Sequence, residues 1–131
     1  MIKPCPCGSL DAKKQPLAAK ACCVPYIEGK LVAPDAEALM RSRYSAFALE
    51  DARYLRSTWH ASQRPASLEL ESGVKWLGLQ VQNHTVIDAT HAEVTFVARQ
   101  RDRTGRAIRV HERSRFVREN GCWYYVDGDS L

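Results

Sequence analysis

The chain has 131 residues, 45% of them hydrophobic and 26% charged, with a formal net charge of +4. That supports one ordinary core, or a compact domain with a small module attached, and it excludes bulk disorder. No apolar run approaches the ~20 residues of a membrane helix, and no apolar segment follows Lys3 and Pro4 as a secretory signal would require. The sequence therefore reads as a cytoplasmic protein without membrane insertion.

The most distinctive chemistry comes first. Cys5 and Cys7 form a C-x-C pair, and Cys22 and Cys23 form an adjacent pair after a 14-residue interval. Clustered thiols in a reducing compartment are metal ligands or redox centres more often than structural disulfides. The fifth cysteine, Cys122, stands alone, and an odd count argues against a disulfide framework. Neither pair matches the usual ferredoxin spacings. Zinc takes four thiolates in a tetrahedron, and two short pairs joined by a loop can supply them. Gly8 suits a sharp turn after Cys7, because it accepts positive φ without a Cβ clash. Four thiolates on one Zn2+ would bring the net charge to about +2, so overall charge says little about nucleic acid.

Asp35 then precedes AEALMRSRYSAFALE as a helix N-cap, with Glu37 favourable in the first turn. Leu39, Met40, Tyr44, Phe47 and Ala48 fall on one apolar stripe. A second short helix is predicted from Asp51 to Trp59, and ASQRPAS, with Pro65, reads as a loop. The period next changes to two. WLGLQVQ sets Leu77, Leu79 and Val81 on one face, and HAEVTFVARQ does the same for Ala92, Val94, Phe96 and Ala98. IRVHERSRFVRE alternates likewise, and CWYYV follows after Asn120-Gly121, a dipeptide of tight type I′ hairpins. Thr104-Gly105 marks a looser turn before it. Helices followed by an antiparallel meander make an α+β fold.

CPCGS with a downstream CC resembles the SEC-C motif. That motif is best known at the C-terminal end of the SecA preprotein translocase ATPase, where it binds zinc and contacts the chaperone SecB. The resemblance makes Cys5, Cys7, Cys22 and Cys23 the ligands, with a longer interval between the pairs than the usual motif has. LMRSRYSAF, YLRSTWH, WLGL and ERSRFVRENGCWYYVDG, together with the opening cysteines, resemble the bacterial YchJ family over nearly the whole chain. This second resemblance implies a SEC-C zinc-binding module over 1–30 and a nuclear transport factor 2-like (cystatin-like) domain over 34–131. The latter is a cone of helices packed in a curved antiparallel sheet. It brings no activity with it.

Polar groups aimed into such a cone are the candidates for function. Glu112 and Ser114 alternate with Ile108, Val110 and Phe116 and share their face, while Arg43 sits four residues from both Leu39 and Phe47. Two readings follow: a buried Arg43–Glu112 pair holding helix to sheet, or a pocket for a small polar ligand that includes Ser114 and Trp59. Trp76, Trp123, Tyr124 and Tyr125 read as core packing. His60, His84, His91 and His111 show no ligand or triad spacing, and no catalytic residue is assigned. Arg99 and Arg101 share one side of an outgoing strand, and Arg109, Arg113 and Arg115 one side of the returning one. Such a strip suits an acidic protein surface or a phosphate backbone, or serves as a charged edge against aggregation.

The leading expectation is a zinc-binding adaptor that docks a protein partner, because four protein ligands leave zinc no open position for chemistry. A small-molecule-binding or enzymatic cone using Glu112 and Arg43 is the alternative. Nucleic-acid association through the arginines is a third reading, without an aromatic-interleaved motif behind it.

Overall fold

Two short turns bracket the second cysteine pair in the computed structural model, which describes residues 3–131. They are a 3-10 turn at Ala19–Ala21 and a one-turn helix, α1, at Val24–Ile27. Pro25 costs α1 nothing, since the first N–H groups of a helix have no partner to lose. The main helix, α2, spans Ala36–Ala48, and its N-cap Asp35 accepts the Ala38 N–H at 2.8 Å. Glu50 takes a left-handed turn (φ 57°), and Asp51 caps the six-residue α3, Ala52–Ser57, through the Tyr54 N–H at 3.0 Å. Both helices start where their acidic caps predict.

The apolar stripe implies one buried face on α2, yet α2 is covered on most sides. Leu39, Met40 and Tyr44 are buried, but so are Ser42, Ser45 and Ala46, each 0% exposed. Those small residues lie where other elements press closest. Ser42 shares a hydrogen bond with the Tyr54 hydroxyl of α3 at 2.7 Å, and Ser45 Oγ stands 3.6 Å from Cys5 Sγ.

Four antiparallel strands follow in a meander: β1 (Lys75–Val86), β2 (His91–Arg101), β3 (Ala107–Glu119) and β4 (Cys122–Ser130), in spatial order β1-β2-β3-β4. The β2–β3 turn is held by the Asp102 carboxylate, which accepts the Thr104 and Arg106 N–H groups at 2.9 and 3.0 Å. Asn120 (φ 52°) and Gly121 (φ 78°) form the tight β3–β4 turn, both in the left-handed region that a type I′ hairpin requires.

Ala92, Val94, Phe96 and Ala98 do face inward from β2, opposite Phe116, Ser114, Glu112 and Val110 of β3. In β1 the expected face is corrected. A bulge between Trp76 and Gly78 throws Leu77 outward (54% exposed), so Trp76, Leu79 and Val81 meet the core. Further irregularities lie at Val81/Asn83 and Arg115/Phe116. Bulges bend their strand and raise its twist, and these curve the sheet around α2. The chain after α3 laces the last strand down: the Tyr125 N–H donates to the Thr58 carbonyl at 2.8 Å, and the Trp59 indole donates to the Val126 carbonyl at 3.0 Å. The result is the expected α+β arrangement of helices within a curved antiparallel sheet. Among the described residues no helix is long and apolar enough to cross a membrane.

Candidate functional site

The interval between the cysteine pairs folds as a small hairpin. The Cys5 N–H donates to the Leu17 carbonyl at 2.7 Å, the Leu17 N–H to Ser9 at 3.0 Å and the Ala19 N–H to Lys3 at 3.0 Å. Gly8 (φ 78°) makes the turn after Cys7, and Asp11 Oδ1 organises the tip by accepting the Lys13 and Gln15 N–H groups. The extra residues are thereby folded back on themselves, and the two pairs still meet. All four sulfurs lie within 4.8 Å of one another, with Cys7–Cys22 at 3.6 Å and Cys22–Cys23 at 4.0 Å.

Four sulfurs at about 2.3 Å from a tetrahedral ion would stand about 3.8 Å apart, so the donor set fits one soft or borderline metal. All are free thiols. Their electrostatics say the same. Hydrogen bonds from Cys23 and Cys7 hold the Cys5 thiol far below its ordinary range. Burial, then the charge on Cys7, pushes Cys22 up to about 12, and donating its S–H to Cys5 and then Cys7 holds Cys23 higher still. The Cys5 thiolate forms readily while Cys22 and Cys23 resist, which is what crowded thiols do until a cation neutralises them. Hydroxyls support the sulfurs, Ser9 on Cys7 at 3.2 Å and Ser45 on Cys5. Arg41 of α2 ties the module down by donating to the Cys7 carbonyl at 3.1 Å.

The other face of α2 looks into a chamber of about 200 Å³. Arg43, Glu112, Ser114 and Trp59 all line it, with Tyr44, Phe47, Trp76, Phe96 and Tyr125 among its walls. The structure therefore brings the four sequence candidates together, but without the expected Arg43–Glu112 ion pair. Arg43, only 6% exposed, donates through Nη1 to the Leu55 carbonyl at 2.6 Å and to Thr58 Oγ1 at 2.7 Å. Its guanidinium lies 4.6 Å from the Tyr125 ring centre and 5.6 Å from that of Trp59, a double cation–π contact. Burial lowers its pKa to about 10, still far above neutrality.

Glu112 makes its bonds through Oε2, which accepts from Ser114 Oγ at 2.5 Å and from the Tyr125 hydroxyl at 3.5 Å. Burial and then the Glu112 charge push Tyr125 up to about 12, so it stays a phenol able to donate. The reason for the missing ion pair is local: α3 offers Arg43 a carbonyl and a hydroxyl, and β3 and β4 offer Glu112 two hydroxyls.

The arginine strip is broken. Asp127 and Asp129 of β4 lie in register with Arg115 and Arg113. Arg115 bonds Asp127 at 2.6 Å and Asp129 at 2.7 Å, and Arg113 bonds Asp129 at 3.1 Å. Arg99 and Arg109 face each other across β2 and β3, and Arg101 donates to the Gly105 carbonyl at 2.8 Å. The acids that break the strip lie one strand over, on β4, where spacing within the hairpin does not reveal them. Tyr125 was missed as a chamber residue because its spacing is that of ordinary core. His60 is likewise joined to Ser62 and to Glu119, a partner 59 positions away that no local spacing reveals.

The pattern described as "YchJ, middle NTF2-like domain" matches residues 35–128, which hold α2, α3 and every residue lining the chamber. The chain belongs to the YchJ-like family. A UPF0225 protein of Polaromonas naphthalenivorans is 61% identical over 100% of both chains, and one of Bordetella pertussis is 54% identical over 95% of this chain and 91% of that one. Two solved structures of SEC-C motif containing proteins share the fold. The Rhodopseudomonas palustris protein has a TM-score of 0.83 at 30% identity, covering 98% of this chain and 99% of that chain. The Psychrobacter arcticus protein has a TM-score of 0.80 at 34% identity, covering 96% and 81%. This chain thus combines a cysteine cluster compatible with a metal and a helix-filled sheet.

Proposed function

We propose that the four-cysteine centre is a closed structural zinc site and that the chamber behind α2 binds a small molecule. For zinc, the support is the donor set: four thiols at tetrahedral spacing fill the ion's coordination and leave no position for a reacting group. For binding, one observation carries the reading. Two oppositely charged side chains, Arg43 and Glu112, share an aromatic-walled cavity without pairing to each other. Concave, mostly apolar sites with a few convergent polar groups are where small molecules bind.

Metal analysis of protein purified under reducing conditions should return about one zinc per chain, and five titratable thiols without zinc would refute the metal assignment. For the chamber, a set of single-ring fragments is titrated while the indole N–H signals of Trp59 and Trp76 are followed by NMR. Shifts confined to the chamber and lost in Val110→Trp, which fills it, are expected. Shifts scattered over the surface, or none, would remove the binding reading.

The adaptor role remains as a second reading, and it has one feature in its favour. Leu31 and Val32 are exposed (55% and 62%) beside Tyr26, Trp123 and Tyr124, next to the cysteine module. Capture of a partner by the wild type and its loss in Leu31→Glu would favour that reading over the chamber.

A further inference from the structure

Charge inside the chamber restricts what it can hold. Buried charges persist only when paired or fully hydrogen-bonded. Arg43 has committed Nη1, and among the described residues no hydrogen bond runs from Nε or Nη2. Glu112 has committed Oε2, and Oε1 accepts none from the described residues. Gly128 of β4 keeps this carboxylate where it is. A Cβ there would stand 2.5 Å from Glu112 Oε2 and 2.7 Å from Cδ, so glycine lets the carboxylate lie against β4 beside Tyr125.

A ligand with a single negative charge would answer Arg43 and present Glu112 with a second anion. A simple amine would fail in the opposite sense. A zwitterion answers both and adds no net charge. Size and walls limit the remainder: a cavity of about 150 Å³ can hold benzene, and this one is about 200 Å³. Trp59, Trp76, Phe96 and Tyr125 offer ring faces and edges to an aromatic body. We infer that the chamber binds a single-ring aromatic zwitterion, its carboxylate toward Arg43 and its ammonium toward Glu112. This deepens the chamber reading above and rests on it.

Calorimetry on the full zinc-loaded chain with four probes tests it. Phenylalanine and 4-(aminomethyl)benzoate carry both charges, close together and far apart; 4-methylbenzoate carries only the anion and benzylamine only the cation. One zwitterion is expected to bind at least about tenfold more tightly than both singly charged probes. Glu112→Gln should erase that advantage by weakening the zwitterion and sparing 4-methylbenzoate. Gly128→Ala, which displaces the carboxylate without discharging it, should cut the same advantage if the Gln variant proves unfolded by circular dichroism. Equal binding of all four probes, no binding of either zwitterion, or a preference unaltered in both folded variants would overturn the ligand class. The chamber reading survives those results if single-ring fragments still shift the indole signals, and falls with the class if they do not.

Discussion

Arg115 illustrates how a residue's role depends on its cross-strand neighbours. Its Nε meets Asp127 while its two Nη atoms meet Asp129, and Arg113 adds a third bond to the same carboxylate. These bonds, Arg115's first, hold the Asp129 carboxyl down at about 2. A group whose folded pKa is depressed contributes stability that is complete above its unfolded value, about 3.9, and lost as pH falls through the folded one. Arg115→Gln should therefore raise the Asp129 pKa toward the ordinary carboxylate range, read directly by carboxyl-carbon NMR. It should also shift the acid-side loss of stability to higher pH. Because Asp129 is exposed, the effect on stability at neutral pH should be small. An Asp129 titration unchanged in this variant would show that Arg113 alone sets it. Glu112 has no ion pair to break, so Glu112→Gln should cost less stability than severing a buried pair would.

At the scale of elements, caps and turns are the parts most tightly bound to local chemistry. Asp35 satisfies an N–H at the start of α2 that would otherwise lack a partner, so Asp35→Ala should cost about 1 kcal/mol. Gly121 sits at φ 78°, where a β-branched side chain clashes with its own backbone. Gly121→Val should cost about 1–2 kcal/mol or more, and urea denaturation measures both variants. A neutral result at Gly121 would mean that the hairpin has an alternative turn. Strand faces are less local. Alternation placed the inward faces of β2 and β3 correctly, but Leu77 was placed inward because a bulge has no signature in a run of alternating residues. Pairing with β2 decides it, through the register on either side. The covered face of α2 was equally hidden: Ser42, Ser45 and Ala46 read as weakly polar or small, and only the presence of α3 and the cysteine hairpin buries them.

Over the whole molecule, α2 is shared. One face carries Arg41 and Ser45 toward the cysteine centre, and the other carries Met40, Arg43, Tyr44 and Phe47 into the chamber. Cys5, Cys7 and Cys23 belong to the same apolar cluster as Leu39, Leu55 and Phe116. If the cysteine centre holds the proposed metal, chelation should therefore lower the melting temperature of the entire chain and not merely release the N-terminal segment. Hydrogen exchange checks the extent: protection should fall in residues 3–30 and through α2, and persist in the paired centre of β2 and β3. Unchanged protection in α2 after chelation would show the module to be energetically separate.

The sequence by itself determined the paired cysteines, the two helix starts, the meander and the tight Asn120-Gly121 turn. In each of these the deciding feature is local: short cysteine spacings, a cap three residues from its N–H, a period of two, a dipeptide that tolerates positive φ. It also carried enough specific segments to place the chain in its family. The tertiary structure alone decided that Arg43 and Glu112 share a chamber without pairing, that Asp127 and Asp129 pair with two of the five arginines of the basic strip, that Leu77 turns outward, and that the long interval between cysteine pairs folds away. Those outcomes turn on partners brought together by strand register and helix packing. Such partners lie far apart in the chain, and their distances are set by the fold.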